Sequence, residues 1–490
     1  MIKKFFRYFL LFLLAVPALY GADVKIDRIY SSYMVIQQQR PVNFSGTADP
    51  GKVVTVEFAG KKVSAETGSD GKWQVTFPAM KASFTPRQVV ITGGSKPIIL
   101  KEVLVGEVWF CSGQSNMALM IGRKYVRGQS VYDCENVVKN AVHPHLRYAF
   151  QRYNPALEPQ EVSYQWSSRW IQCKPEKAFF FSATAYFFAR ELIKELKVPV
   201  GVIVAAAGAT RIQSWIPDDS FSGIEPEAGD IIKIKNSAKP ETARMPGALF
   251  NGMVHPWTKL PVRGVLWYQG EANSGKDQLR YYPLHKRLIE SWRKKWNDPQ
   301  MPFLIVQLAG HDRGNSANWQ KVDPNKFNGF ALIRDIQQRM LEVPGVGLVT
   351  AIDIGDCDNV HPGNKLDVGI RLSLEARRMV YGEKIVSRGP LFKSAKPEKG
   401  RIRVTFDNAA GLKTSDGKAP NGFAVAGKDR KFYWAKAVID GETVIVSAPQ
   451  VKNPKYVRYA YVGYRGDLNL RNGANLPAFP FTSLPNKLSR

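Results

Sequence analysis

Cysteine is scarce in this sequence: Cys111, Cys134, Cys173 and Cys357 are the four in 490 residues. No two are spaced C-x-x-C, which argues against a zinc ribbon or a thioredoxin-type redox pair. Oxidation after export would allow disulfides, and the spacing leaves their pairing open. Histidine is nearly as scarce, with six residues, and only His143 and His145 lie close together, around Pro144 in what reads as a surface loop. A metal-dependent hydrolase wants clustered His and Asp ligands, so no metal and no cofactor is expected. Beyond the first 22 residues there is no uninterrupted apolar run of about 18, so no stable membrane anchor is expected. Acidic residues are in deficit, 42 against 69 Lys plus Arg, for a net charge of +27. Such a charge suits contact with anionic polymers. The basic residues are scattered, however, and no nucleic-acid fold motif accompanies them, so nucleic acid is not expected as a partner. Internal repeats are absent as well.

What is present divides along the chain. Lys3, Lys4 and Arg7 precede a short apolar run over 8–16, then Pro17 and the small residues Gly21 and Ala22. A basic head, greasy middle and small-residue end describe a secretory signal peptide over 1–22, and hence a secreted or periplasmic protein. Residues 23–103 alternate short β-rich runs with turn signals such as Ala59-Gly60, Asp70-Gly71 and Gly93-Gly94, the pattern of a β-sandwich. Over 104–385 apolar strands (200–204, 264–268, 303–307 and 347–351) alternate with helical periodicity at 182–197 and 282–296. That alternation predicts a doubly wound α/β layer with a largely parallel sheet. Over 386–490 the chain returns to short strands, a second β-rich region.

Four polar clusters each follow a predicted strand, where open α/β sheets place their ligands. Cys111-Ser112-Gly113-Gln114-Ser115-Asn116-Met117 sets a serine on a glycine-containing strand–helix turn, where its hydroxyl is exposed near free backbone N–H groups. Gly208-Ala209-Thr210 is a small-residue turn whose backbone can approach a substrate oxygen. Trp267-Tyr268-Gln269-Gly270-Glu271-Ala272-Asn273 offers the Gln269 amide as an oxyanion donor and the Glu271 carboxylate as a holder of a hydroxyl. Asp353-Ile354-Gly355-Asp356-Cys357-Asp358-Asn359-Val360-His361-Pro362 places His361 three residues after Asp358. One turn of chain brings that carboxylate to the imidazole, to fix its tautomer and favour the imidazolium. Nucleophile, base, orienting acid and oxyanion donors make the parts list for acyl transfer.

In this order, Gly-Gln-Ser-Asn-Met, Trp-Tyr-Gln-Gly-Glu and Asp-x-x-His-Pro resemble the sialate O-acetylesterase family, within the SGNH hydrolase superfamily. The resemblance covers nearly the whole chain after the leader. It implies an SGNH-like α/β fold flanked by β-rich regions, and removal of O-acetyl groups from a sugar, sialic acid first, with acetylxylan or another polysaccharide as the alternative. It implies Ser115 as nucleophile and His361 as base, with Asp358, from its spacing to His361, as the candidate acid. The N–H groups of Ser115 and Gly208 and the Gln269 amide would form the oxyanion hole, with Asn116, Arg211, Glu271 and Asn273 as substrate-binding residues. Two positions depart from the family pattern. Ala209 stands where a second glycine is common, and Asn359 where many relatives carry Asp. A non-catalytic carbohydrate-binding protein on the same scaffold is the rival reading, and the oligomeric state is left open.

Overall fold

A computed structural model describes residues 23–122, 131–161, 169–223, 245–275, 278–313, 322–326 and 328–484. The proposed leader over 1–22 lies outside them.

The N-terminal region packs two small sheets face to face. Val53–Phe58 and Lys72–Phe77 alternate buried and exposed positions, as strands with one solvated face must. Phe44 and Phe77 of one sheet meet Phe58 of the other edge-on, with ring centroids 5.8–5.9 Å apart. The expected sandwich boundary at 103/104 falls inside one long strand, β1 (Ile98–Gly113). Its first half pairs with a sandwich strand (Ser83–Thr92) and its second half with the central α/β sheet. The two regions therefore share a backbone ladder instead of being joined by a linker.

The central sheet adds β2 (His143–Phe150), β3 (Trp170–Cys173), β4 (Val200–Ala206), β5 (Gly264–Tyr268), β6 (Phe303–Gln307) and β7 (Val346–Thr350). Its order is β3-β2-β4-β1-β5-β6-β7. All pairings are parallel except β2 with the edge strand β3. Strands β4 to β7 are buried throughout, as expected of a sheet covered on both faces. His143 and His145 begin β2 and do not sit in a loop; the His143 ring lies against the Tyr186 hydroxyl.

Two of the helices that bear on the site begin at capping residues. Five matter for the site: α1 (Ser115–Ala118), α2 (Ala183–Leu196), α3 (Tyr281–Lys295), α4 (Gly329–Arg339) and α5 (Leu366–Met379). Ser182 caps α2 by accepting from Ala185 N–H, and Asn328 caps α4 through Phe330 and Ala331 N–H. Helices α2 and α5 lie so close that a Cβ on Gly369 would stand 2.4 Å from Phe187 Cβ. The C-terminal region consists of two four-stranded antiparallel sheets and a short two-stranded pair. Its core includes Ile352, which comes from the loop leading to His361. No disulfide joins the four cysteines in the structure.

Candidate active site

The carboxyl ends of the three central strands are stitched together by backbone bonds. Ala207 N–H donates to Gly113 O, and Gln114 N–H to Tyr268 O. Gly113 makes this closeness possible. Its φ is +134°, and a Cβ there would fall 2.1 Å from Tyr268 O, so no side chain fits. The chain then turns sharply into α1, and Ser115 occupies the first helical position, half-buried. The side chain of Gln114 reaches sideways and accepts from Ala272 N–H at 3.2 Å, tying the serine turn to the turn after β5.

His361 approaches from the other side, on the loop between β7 and α5. Its Nε2 lies 2.7 Å from Ser115 Oγ, hydrogen-bond reach for proton transfer. Asn359 holds the loop's shape: its Oδ1 accepts from His361 N–H and its Nδ2 donates to His361 O. Burial first, and then the neighbouring Lys365 and His311, push the imidazole pKa down to about 4. At neutral pH it is an unprotonated base.

The Gly208 turn borders the serine. A Cβ on Gly208 would lie 3.6 Å from Ser115 Cβ. Among the described residues neither the Ser115 N–H nor the Gly208 N–H is spent on another backbone carbonyl. Both groups border the Ser115 side chain. Ala209 adopts φ +58°, the left-handed conformation that a glycine would enter without strain. Thr210 Oγ1 closes the turn onto Ala207 O, and Trp215 Nε1 donates to that same hydroxyl.

Several expected substrate contacts are spent inside the protein. Gln269 is fully buried and donates both amide hydrogens internally, to Thr210 O at 3.1 Å and Asn273 Oδ1 at 2.8 Å. The third oxyanion donor expected from sequence is thus engaged in holding the Gly208–Thr210 segment. Asn273 is scaffold too: its Oδ1 also accepts from Ile212 N–H, and its Nδ2 donates to Gln213 Oε1. Asn116 is buried, with Nδ2 on Glu271 Oε1 (2.5 Å) and Val360 O (2.9 Å). Burial raises the Glu271 carboxyl above its usual range, opposed by the Asn116 hydrogen bond and Lys365. Arg211 is exposed where the Gly208 turn enters its following short helix.

The acids near His361 also separate by environment. Asp353 is locked between Arg371 (2.7 and 2.8 Å) and Arg471 (2.9 Å). Asp356 Oδ1 accepts the backbone N–H groups of Asp358 and Asn359. Asp358 is solvent-exposed on the same loop. The sequence reading passed over Lys365, which is fully buried beneath the site. A cation at the entry to an amphipathic helix, where the dipole opposes it, was the signal available.

An open, largely parallel α/β sheet thus carries a hydrogen-bonded serine and histidine at its carboxyl edge. A model described as "carbohydrate esterase, sialic acid-specific acetylesterase" matches residues 105–374, and the chain belongs to that family. It is 26% identical to the sialate O-acetylesterase of Mus musculus over 94% of each chain. It is 27% identical to that of Homo sapiens over 83% of this chain and 82% of the relative. A crystal structure of a carbohydrate acetylesterase from Xanthomonas citri superposes with a TM-score of 0.84 at 31% identity, covering 94% of this chain and 99% of the other. The protein is an esterase of sugars, and no described helix is long and apolar enough to cross a membrane.

Proposed function

We propose that the protein removes O-acetyl groups from sugar hydroxyls, O-acetylated sialic acid foremost, through an acetyl-serine intermediate on Ser115. The observation that carries this reading is the 2.7 Å approach of His361 Nε2 to Ser115 Oγ. His361 takes the hydroxyl proton as Ser115 attacks the acetyl carbonyl. The oxyanion forms against the N–H groups of Ser115 and Gly208, an arrangement in which each donor contributes on the order of 3 kcal/mol. The sugar alcohol departs with the proton from His361. Water, deprotonated by the same imidazole, then attacks the acetyl-serine and releases acetate. Asp358 is the acid proposed to orient His361, since the Asp353 carboxylate is committed to two arginines. Export under a cleaved leader over 1–22 is part of the same proposal.

Sialic acid carries a carboxylate, whereas acetylated xylan is neutral. Arg211, exposed beside the Gly208 turn, is the cation proposed to meet it, because a guanidinium binds both carboxylate oxygens at once. The test measures O-acetyl sialic acid, acetylxylan and a small neutral acetate ester on wild type and Arg211→Gln, with Ser115→Ala as the inactive control. Arg211→Gln is expected to raise KM for O-acetyl sialic acid about tenfold, the loss of one charge-assisted contact, with little change on the neutral ester. Equal losses on both esters, or wild-type preference for acetylxylan, would overturn the sialic acid assignment.

A further inference from the structure

Lys365 is the buried charge that the reaction just described leaves without a task. It is fully buried at the amino end of α5. Both the loss of water and the helix dipole disfavour an ammonium there. Its Nζ donates to Asn116 Oδ1 at 2.7 Å and to Pro362 O at 2.8 Å. It also lies 5.5 Å from the centroid of the Tyr268 ring, whose π face attracts a cation. Asn116 directly follows Ser115, and Pro362 directly follows His361. On its other side Asn116 donates to Glu271 Oε1 and to Val360 O. One ammonium therefore ties the helix that carries the serine to the loop that carries the histidine, from beneath.

We propose that Lys365 is a positioning residue for ester hydrolysis, locking the 360–362 loop against the Ser115 turn and setting a positive charge beside the histidine's loop. The proposal rests on the reading of Ser115 and His361 as nucleophile and base. The charged and titratable groups around the pair come from every neighbouring element. His311, after β6, faces His361 and is like-charged when protonated, so it acts in the same direction as Lys365. Asp356 and Asp358 lie on the histidine's own loop, and Tyr464 of the C-terminal region faces those acids. Glu271 faces Lys365 through Asn116 and supplies its counter-charge. Burial pushes the Lys365 ammonium down to about 7. Below that value, where His361 titrates, Lys365 carries its full charge.

The experiment compares pH profiles of kcat and KM from pH 4 to 9 for wild type, Lys365→Met, Lys365→Gln and Ser115→Ala on 4-nitrophenyl acetate, with folding checked by circular dichroism at each pH. Met fills the space without charge or donors. Gln is also uncharged but keeps an N–H for the two acceptors, so it serves if Met does not fold. Wild type is expected to hold kcat/KM down to about pH 5. Both variants are expected to lose it roughly half a pH unit higher, since burial, the larger cause of the lowered imidazole, stays while the charge of Lys365 is gone. In both, KM at pH 8 is expected to stay within roughly twofold, with kcat at pH 8 about fivefold lower in Lys365→Met and less reduced in Lys365→Gln. An acid limb that stays in place in the folded variants overturns the proposal, whether kcat is unchanged or falls uniformly across the pH range. Persistent turnover in Ser115→Ala would overturn the underlying assignment instead, independently of Lys365.

Discussion

At the scale of single residues, the proposed nucleophile and base were picked out because their chemistry is local. A serine on a Gly-x-Ser turn and a histidine in Asp-x-x-His-Pro each declare themselves in a few positions, and the fold brings them to 2.7 Å. Gln269, Asn116 and Asn273 were not legible in the same way. Their amides look like substrate donors in sequence, and only three-dimensional accounting shows the partners they already hold, Gln269 having given both hydrogens to Thr210 O and Asn273 Oδ1. A buried polar group must find partners inside the protein, and those partners come from segments far apart in sequence. The orienting acid is settled by comparison of mutants. Ser115→Ala and His361→Ala are each expected to cost at least ~10³-fold in kcat while remaining folded. Asp358→Ala is expected to cost as much as His361→Ala if its carboxylate fixes the imidazole. Wild-type turnover in Asp358→Ala would remove it from the catalytic group and leave a serine–histidine dyad.

Elements were read from sequence with errors mostly at their ends. The periodicity over 182–197 predicts a helix that is observed at Ala183–Leu196, with the outer two residues serving as caps. The boundary read at 103/104 falls inside β1, which runs over Ile98–Gly113, because its first half is a sandwich strand whose partner cannot be seen from local pattern. The Gly208 turn is the element where sequence and geometry disagree most usefully. Alanine at position 209 sits at φ +58°, a conformation that costs a non-glycine residue about 1–2 kcal/mol. The turn is held there by the Thr210 hydroxyl and, through Gln269, by the strand after it. Such strain persists where the surroundings over-determine the backbone. Ala209→Gly is therefore expected to raise the unfolding free energy by about 0.5–1 kcal/mol, part of the relief being cancelled by glycine's greater freedom in the unfolded chain. Thermal denaturation reads this directly, and a lowered Tm would show that the alanine methyl makes packing contacts worth more than the strain. Turnover is expected to change less than threefold, since the Gly208 N–H keeps its place.

For the whole molecule, the flanking β-rich regions were foreseen as neighbours of the catalytic layer, but not as supports of its active loops. The C-terminal region grips the segment that leads to His361. His311 N–H donates to Gly463 O, Ile352 enters the C-terminal core, and Arg471 reaches Asp353. Asp353 has a side chain only 2% exposed and accepts from both Arg371 and Arg471, so it joins α5, the loop after β7 and the C-terminal region in one ionic knot. Removing the acceptor would leave two guanidinium groups short of a partner, one of them largely buried. Asp353→Ala is accordingly expected to cost about 3–5 kcal/mol of stability, whereas Arg471→Met, which leaves the bidentate Arg371 pair intact, is expected to cost closer to 1 kcal/mol. The dependence on pH separates this account from simple loss of packing. Burial raises the Asp353 carboxyl, but Arg371 and Arg471 outweigh it, so the folded-state pKa lies below the usual value of 3.8. A carboxyl depressed on folding stabilises the native state above its unfolded pKa and loses that contribution as pH falls through the folded value. In urea unfolding, the gap between wild type and Asp353→Asn should thus be full at pH 6 and narrow progressively below about pH 4. A gap that stayed constant across that range would mean that Asp353 supports the loop by shape and hydrogen bonding alone, with no share carried by its charge.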